Sequence, residues 1–224
     1  MRTTADAVAE LTDDVHRLLN AHPGRVVLGL VGPPGAGKST LAQRLVREFG
    51  PGAPEGVGYV PMDGFHLSNA QLDRLGRRHR KGAPDTFDVD GYLAVLQQIS
   101  HSHRIRDVYV PGFDRTLDEP VAARHVVPAD ARVIVTEGNY LALPSPGWAA
   151  VRDLLDWVVY LDSPAPLRRR RLIERHIRGG RGAAEAARWV DTVDDPNAEL
   201  IAAGRGRYDR VLEIGDTGVQ SAGS

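Results

Sequence analysis

Residues 32–39 read Gly32-Pro33-Pro34-Gly35-Ala36-Gly37-Lys38-Ser39, which is the pattern GxxxxGKS. An apolar run at 26–31 precedes this stretch and has the composition of a buried parallel strand. Apolar residues at helical spacing follow it, at Leu41, Leu45, Val46 and Phe49. A strand, a glycine-rich loop and a helix in this order predict a loop whose backbone N–H groups bind phosphate at a helix N-terminus.

The residues of this loop have separate predicted tasks. Lys38 is expected to act in catalysis by reaching the β and γ phosphates of a nucleotide, and the Ser39 hydroxyl is expected to bind Mg²⁺. The predicted nucleotide contacts are Gly32, Gly35, Ala36, Gly37, Lys38, Ser39 and Thr40. Among the 28 Lys and Arg residues only Lys38 and Lys81 are lysine, which agrees with a need for a compact ammonium at the phosphates. The sequence therefore predicts a P-loop protein whose cofactors are ATP and Mg²⁺.

Composition and charge narrow the class of protein. The 224 residues carry a formal net charge of -1, with 42% apolar and 25% charged residues, which is ordinary for a globular protein. This balance favours neither nucleic acid nor an anionic membrane as a partner. Cysteine is absent, no run approaches the roughly 20 apolar residues of a membrane span, and no signal-peptide pattern is present. We therefore expect a cytoplasmic protein with one domain at 1–215, an amphipathic helix at 4–20 and a frayed tail at 216–224.

Further apolar runs alternate with helical patterns along the chain. They predict strands at 57–61, 132–138, 157–162 and 211–214. This alternation predicts a parallel sheet covered on both faces, and such sheets bind ligands at the carboxyl ends of their strands. Asp63 follows one of these strands and Glu137 lies at the end of another, so one site can collect both with the glycine loop.

The two carboxylates have different predicted roles. Glu137 lies at the end of an apolar strand, as a Walker-B carboxylate does, and is predicted to contact Mg²⁺ directly or through water. Its alternative role is a cap or an ion pair with an arginine. Asp63 is predicted to accept the proton of a substrate hydroxyl, and the alternative is a turn after the strand. His66 is a candidate for substrate contact, although a lone histidine in a loop is about as often a packing or surface residue.

The predicted helix after the strand at 157–162 is rich in arginine. Arg171, Arg175 and Arg178 share one face at i, i+4 and i+7, and Arg168 extends this stripe. Glycines follow the helix, so residues 168–193 are predicted to form a mobile lid that excludes water. Arg171 and Arg175 are then predicted catalytic residues and Arg178 a nucleotide-binding residue. The alternative is a solvated basic helix face.

The segment between the two carboxylates carries weaker patterns. Asp90 is predicted to cap a helix over 91–101, and residues 108–110 are predicted to form a short strand. Residues 111–130 hold proline, glycine and mixed charge, which indicates an excursion over the mouth of the site. The basic run at 77–81 lacks the interleaved aromatic residues of a nucleic-acid patch.

Several motifs in one order resemble the uridine kinase, phosphoribulokinase and bacterial pantothenate kinase group of P-loop kinases. They are the P-loop, Met62-Asp63-Gly64-Phe65-His66, the segment 80–88, the segment 109–115, Glu137-Gly138-Asn139-Tyr140-Leu141 and the arginine helix. Within this group the chain looks most similar to a poorly characterised nucleoside/nucleotide kinase-like, or "fructokinase-like", branch. The resemblance covers about 25–215. It implies a P-loop NTPase fold of three α/β/α layers with a five-stranded parallel core sheet and an arginine-rich helical lid.

The resemblance also implies residue roles. It makes Asp63 the catalytic carboxylate and places Glu137 near Mg²⁺. Tyr109, Asp114 and Arg115 fall where uridine kinases carry substrate-binding residues, although Val-Pro-Gly-Phe-Asp-Arg stands here in place of their Tyr-Asp-Phe type segment. This departure means that nucleoside specificity does not follow from the resemblance. Asn197, in Asp-Asp-Pro-Asn, is expected to face the phosphates or the substrate.

Three functional hypotheses follow from these patterns. The leading one is ATP-dependent phosphoryl transfer to a hydroxyl of a small metabolite, such as a nucleoside, a sugar or a vitamin-like compound. The others are a regulatory P-loop ATPase and a nucleotide-binding module without turnover. Neither lysine lies in a guanine-reading Asn-Lys-x-Asp motif, so a GTPase switch is disfavoured. A homodimer is compatible with the sequence, and the acceptor is not identified by it.

Overall fold

The buried strand before the glycine loop occupies the middle of a parallel sheet. The computed structural model describes residues 3–50 and 53–215, and the predicted tail at 216–224 lies outside them. The described strands are β1 Val26–Val31, β2 Val57–Pro61, β3 Val108–Asp114, β4 Glu119–Val127, β5 Val133–Gly138, β6 Trp157–Asp162 and β7 Arg210–Glu213. The described helices are α1 Thr4–Ala21, α2 Lys38–Glu48, α3 Asn69–Arg74, α4 Val89–His101, α5 Trp148–Arg152, α6 Ala165–Arg178, α7 Ala183–Trp189 and α8 Asp195–Ala202.

Within the described residues, five strands form the sheet in the order β2-β5-β1-β6-β7. β1 pairs in parallel with β5, Val26 opposite Val133, and with β6, Leu28 opposite Trp157. Every residue of β1 and of β5 is buried, because helices cover both faces of the sheet. Parallel pairing brings the carboxyl ends of β1, β2 and β5 to the same edge, where the glycine loop, Asp63 and Glu137 begin to converge.

Two apolar cores lie on opposite faces of the sheet. Val26, Leu28 and Leu30 pack with helices α1 and α2, whereas Val27 and Val31 pack with α4 and α5. Alternate residues of one strand point to opposite faces, so a continuous apolar run serves both cores. The predicted three-layer α/β/α fold with a five-stranded parallel sheet is therefore confirmed, while the arginine-rich lid stays a prediction.

Helix α1 at Thr4–Ala21 agrees with the predicted helix at 4–20. Its N-terminus has a reciprocal capping box, because Thr3 Oγ1 accepts from the Asp6 N–H at 3.1 Å and Asp6 Oδ2 accepts from the Thr3 N–H at 3.0 Å. Arg210 of β7 forms ion pairs with Glu10 and Asp14, which join this helix to the far edge of the sheet. None of the described helices is both long enough and apolar enough to cross a lipid bilayer.

One prediction between the two carboxylates was wrong, and the structure gives another its detailed form. Helix α4 begins at Val89 and its cap is Asp88, whose Oδ1 accepts from the Gly91 N–H at 2.9 Å, so Asp90 lies in the first turn. The predicted excursion at 111–130 is a regular antiparallel hairpin of β3 and β4, and Arg115, Thr116 and Asp118 of its turn line the cavity next to the glycine loop. Most side chains of β4 are exposed or half-buried, so this strand lacks the apolar alternation that would have revealed it.

Candidate active site

The glycine loop has the backbone geometry that phosphate binding requires. Gly35 and Gly37 have φ of +78° and +97°, a region that residues with a Cβ rarely adopt. A Cβ at Gly35 would also approach the Arg168 carbonyl oxygen to 2.9 Å. Gly37 immediately precedes α2, so the free N–H groups and the positive dipole end of that helix face the loop.

The Lys38 side chain contacts the backbone of the glycine loop. Its side chain is almost fully buried, and Nζ donates to the carbonyl oxygens of Gly32 at 2.8 Å and Pro33 at 3.1 Å. Burial lowers the pKa of Lys38 to about 8, against the opposing influence of the Glu137 and Asp63 carboxylates. The ammonium is therefore held by weak neutral acceptors that an anionic phosphate can replace.

Glu137 and Ser39 meet at the edge of the sheet. The Ser39 hydroxyl donates to Glu137 Oε1 at 3.1 Å, and the Tyr59 hydroxyl donates to the same oxygen at 3.1 Å. Burial raises the pKa of Glu137, and the nearby Asp63 carboxylate raises it further. A buried carboxylate with a raised pKa gains most from a cation beside it.

These two oxygens fit the requirement of Mg²⁺ for hard ligands. A hydroxyl and a carboxylate would be a partial shell, and Mg²⁺ ordinarily keeps several waters and completes its shell with phosphate oxygens. Among residues 3–50 and 53–215 no group of three or more His, Asp or Glu side chains is placed to hold a metal ion. Ser39 and Glu137 are accordingly the residues that would hold the ion.

Asp63 lies in a short 3₁₀ turn, Met62–Phe65, directly after β2. Gly64 lets this turn approach the β3–β4 hairpin, because a Cβ there would lie 2.3 Å from the Pro111 carbonyl oxygen. Burial alone would raise the pKa of Asp63, but His66 when it is protonated and the guanidinium groups of Arg115 and Arg175 lower it. Asp63 is therefore ionised at neutral pH although it is enclosed.

The arginines of α6 face two directions. Arg168 donates to the carbonyl oxygens of Ser163 at 3.1 Å and Pro34 at 3.4 Å, and Arg171 donates to Gly35 O at 3.4 Å. Arg175 and Arg178 line the same cavity as Lys38, whereas Arg169 pairs with Asp191 at 2.6 Å outside it. The stripe predicted from the i, i+4, i+7 spacing thus meets the phosphate loop.

A cavity of about 690 Å³ joins these groups. It contains Asp63, His66, Arg115 and Asn197 together with the P-loop residues Gly35, Gly37, Lys38, Ser39 and Thr40, the carboxylate Glu137, and Arg171, Arg175 and Arg178. Gly32 and Ala36 shape the loop from behind, since Ala36 is buried in the core and Gly32 packs against Leu161 O, which a Cβ would approach to 2.6 Å.

His66 lines the cavity between two phenylalanine rings. Its ring lies 4.0 Å from the Phe87 ring and 4.8 Å from the Phe113 ring, measured between centroids. Its Nδ1 lies 2.8 Å from the Asp63 carbonyl oxygen, so Nδ1 carries the proton and Nε2 is the acceptor of the neutral ring. Burial lowers the pKa of His66, which favours that neutral form.

Two predicted substrate-binding residues are not part of the cavity lining. Tyr109 is 68% exposed, because the alternation of β3 turns Val108 and Val110 inward and Tyr109 outward. Asp114 organises the hairpin turn instead, accepting from the N–H groups of Thr116 at 2.9 Å and Leu117 at 3.1 Å. Arg124 also donates to it at 2.8 Å, and this hydrogen bond is the main reason that the pKa of Asp114 falls to about 2.

Sequence reasoning missed three groups at the site. Tyr59 supports Glu137, as described above. Lys81 donates to Asn69 Oδ1 at 2.7 Å and pairs with Asp118 at 3.1 Å, which ties the hairpin to α3. His176 Nε2 lies 2.7 Å from Asp194 Oδ2 and joins α6 to the π-helical turn Val190–Asp194. The rarity of lysine was a signal for Lys81, but no local pattern marked the other two.

The comparisons with known proteins agree with this geometry. Residues 27–188 match the "Phosphoribulokinase / Uridine kinase family", so the chain belongs to that family. The predicted resemblance is confirmed. The family consists of P-loop kinases, for which ATP and Mg²⁺ are the expected cofactors.

Individual relatives cover most of the chain. A Schizosaccharomyces pombe protein named "Putative uridine kinase C227.14" is 36% identical over 202 residues, which are 86% of this chain and 84% of that protein. "Uncharacterized protein YggC" of Escherichia coli K12 is 34% identical over 197 residues, 87% of this chain and 80% of that protein. The solved structure of a "putative fructose transport system kinase" from Silicibacter sp. TM1040 superposes with a TM-score of 0.81 at 33% identity, covering 95% of this chain and 100% of that one.

Proposed function

We propose that this protein is an ATP-dependent kinase that transfers the γ-phosphoryl group to a hydroxyl of a small metabolite. The observation that carries the proposal is the position of ionised Asp63 in the cavity that also contains Lys38, Ser39 and Glu137. A phosphate loop alone would serve any nucleotide-binding protein. Transfer to a hydroxyl acceptor also requires a group that accepts the hydroxyl proton, and an ionised carboxylate in the same cavity can do this.

In this proposal Asp63 binds and orients the acceptor hydroxyl. Its lowered pKa makes it a weak base, so it accepts the hydroxyl proton late, which suits the loose transition state of phosphoryl transfer. Lys38 and Arg175 stabilise the charge that spreads over the transferred group, Arg171 acts beside the loop, and Arg178 contacts the nucleotide. Mg²⁺, held by Ser39 and Glu137, would supply neutralisation of phosphate charge when bound.

Residues 168–193 are proposed to close over the cavity as a lid. Gly180, at φ +97°, follows α6 and supplies a point where the backbone can turn. Arg181 stacks on Trp189, with 4.1 Å from the guanidinium carbon to the ring centroid, and joins the two helices on either side of that turn. Closure would exclude water from the transferred phosphoryl group.

Phosphoryl transfer from radiolabelled ATP to a pooled set of hydroxylated metabolites tests the proposal. Asp63→Asn is expected to lower transfer about 100-fold to 10,000-fold while leaving nucleotide binding intact, because the hydroxyl loses its proton acceptor. Asp73→Asn is the matched control, since Asp73 is an exposed carboxylate on α3 that pairs with Arg78 outside the cavity. Full transfer by Asp63→Asn would contradict the assignment, and ATP consumption that no acceptor stimulates would favour a regulatory ATPase.

A further inference from the structure

Two guanidinium groups from distant parts of the chain converge on the acceptor side of the cavity. Arg115 comes from the turn between β3 and β4, and Arg175 comes from α6; both line the cavity. They lie close enough that the positive charge of Arg115 adds to burial in lowering the pKa of Arg175. Like charges that approach in an enclosed space destabilise one another unless an anion lies between them.

The other cations of the cavity have partners that account for them. Lys81 pairs with Asp118, and Arg181 pairs with Glu185 at 3.6 Å and stacks on Trp189. Lys38 and Arg171 contact the carbonyl oxygens of the glycine loop, on the donor side. Arg178 donates to the Glu174 carbonyl oxygen at 3.3 Å. Arg115 and Arg175 are the arginines that remain, and both act on Asp63.

Most N–H donors of Arg115 and Arg175 have no hydrogen-bond acceptor among the described residues. Within the part of the chain that the structure describes, the Arg175 guanidinium makes no hydrogen bond and no ion pair. Arg115 has one long contact, 3.4 Å from Nη2 to Asp63 Oδ2, and its side chain is 54% exposed to the cavity and its mouth. A guanidinium has five N–H donors, so most of the donors of both residues remain for a ligand.

The local charge therefore exceeds what Asp63 can balance. Arg115 and Arg175 both act on Asp63. The other carboxylates that act on Arg175 are already engaged, Asp194 with His176 at 2.7 Å and Glu137 with Ser39 and Tyr59. A neutral nucleoside or sugar would leave the largely enclosed Arg175 guanidinium without an anionic partner, which is costly. A planar guanidinium fork matches carboxylate and phosphate oxygens in particular.

We propose that the acceptor carries an anionic group, a carboxylate or a phosphate, which Arg115 binds beside Arg175 while Asp63 binds the hydroxyl of the same molecule. This inference rests on the proposed kinase function and narrows its substrate to anionic hydroxy compounds. The hydroxyl oxygen lies one hydrogen bond of about 2.7–2.9 Å from Asp63, and the anionic group lies the same distance from Arg115. Asp63 Oδ2 and Arg115 Nη2 are 3.4 Å apart, so the two groups of the acceptor lie within roughly 10 Å of each other. The acceptor is therefore compact, such as a hydroxy acid or a sugar phosphate.

Binding without turnover is the first test. The P-loop is saturated with Mg²⁺ and a non-hydrolysable ATP analogue, so that a second anion cannot bind there. Inorganic phosphate and malonate are then titrated separately while thermal unfolding is followed, since a ligand of the native state raises apparent stability. Arg115→Gln is expected to bind at least one of the two anions about 10-fold to 100-fold more weakly than wild type, because charge-assisted hydrogen bonds are lost. If only phosphate binding weakens, the anionic group of the acceptor is a phosphate, and if only malonate binding weakens, it is a carboxylate.

Arg74→Gln is the matched control for this arm. Arg74 is exposed on α3 and donates to Gln71 at 2.9 Å, away from the cavity, so the same charge change should leave anion binding at the wild-type level. Equal binding of both anions by wild type and Arg115→Gln, including no binding by either, would overturn the proposal.

Turnover on matched acceptors is the second test. Wild type is assayed with pairs that differ in one charged group: glycerol against glycerate, ribose against ribose 5-phosphate, and pantothenol against pantothenate. The charged member is expected to have the higher kcat/KM, and Arg115→Gln is expected to raise its KM by the same factor as in the binding arm. A higher kcat/KM for the neutral members would overturn the proposal of an anionic acceptor but would agree with the kinase function. Arg115-dependent anion binding together with ATP consumption that no acceptor stimulates would instead overturn the kinase function.

Discussion

Nucleotide binding should weaken as pH rises above 8, and Lys38 is the reason. In the nucleotide-free protein burial lowers the pKa of this lysine to about 8. Phosphate oxygens beside the ammonium favour its charged form, so a bound nucleotide raises the pKa again. Binding above pH 8 must therefore take up a proton, and affinity falls as protons become scarce.

The size of the effect follows from that pKa. At pH 9 about one Lys38 in ten is charged in the free protein, so the apparent dissociation constant should be about tenfold higher than at pH 7, or about 1.4 kcal/mol. At pH 8 the change is about twofold. Proton uptake on binding should rise toward about 0.9 per nucleotide at pH 9.

Isothermal titration of a non-hydrolysable ATP analogue at pH 7.5, 8, 8.5 and 9 measures both quantities, when each pH is repeated in buffers of different ionisation enthalpy. The analogue is titrated as its Mg²⁺ complex, because the bound cation keeps the terminal phosphate deprotonated across this range. Lys38→Met keeps most of the apolar stem and removes the titrating group, so its weaker binding should be independent of pH. A wild-type affinity that is constant from pH 7.5 to 9, or proton release on binding, would refute the reasoning.

Two further changes test supporting contacts. Tyr59→Phe removes the hydroxyl that donates to Glu137 at 3.1 Å and should raise the Mg²⁺ concentration for half-maximal activity about 10-fold, with Tyr109→Phe on the exposed face of β3 as control. Unchanged Mg²⁺ dependence would argue against Glu137 as a metal contact. Arg25→Met should lower the free energy of unfolding in urea by about 2–4 kcal/mol. Arg25 donates to Ala131 O at 2.7 Å, Pro128 O at 2.6 Å, Ala129 O at 3.0 Å and Ile99 O. The exposed Arg47→Met on α2 is the control, and an equal loss there would contradict the role of these carbonyl contacts.

The fold was predictable where local pattern and topology agree. The continuous apolar run of β1, the glycine loop and the helical spacing of α2 each follow from neighbouring residues, and a parallel sheet follows from their repetition. Only residues 108–110 of the pair β3–β4 were predictable, because most of β4 is exposed or half-buried and both strands contain proline. Asp88 and Asp90 are equally good caps by residue type, and only the hydrogen bond to Gly91 selects Asp88.

Some residues of the candidate site were predictable from local pattern, and others were not. Lys38, Ser39, Asp63 and Glu137 were recognisable because each follows or ends a predicted strand at one edge of the sheet. Tyr109 and Asp114 were chosen by resemblance alone. The register of the hairpin then turned Tyr109 to solvent and engaged Asp114 with the hairpin turn.

The sequence by itself determined the phosphate loop, the succession of strands and helices along the chain and the presence of a second carboxylate. These features depend on short-range patterns. Only the tertiary structure decided what faces the acceptor. Arg115 lies 52 positions after Asp63, and Arg175, which lines the same cavity, lies a further 60 positions along the chain. Whether distant charges approach depends on packing of the hairpin and α6 against the sheet, and no local pattern encodes that distance.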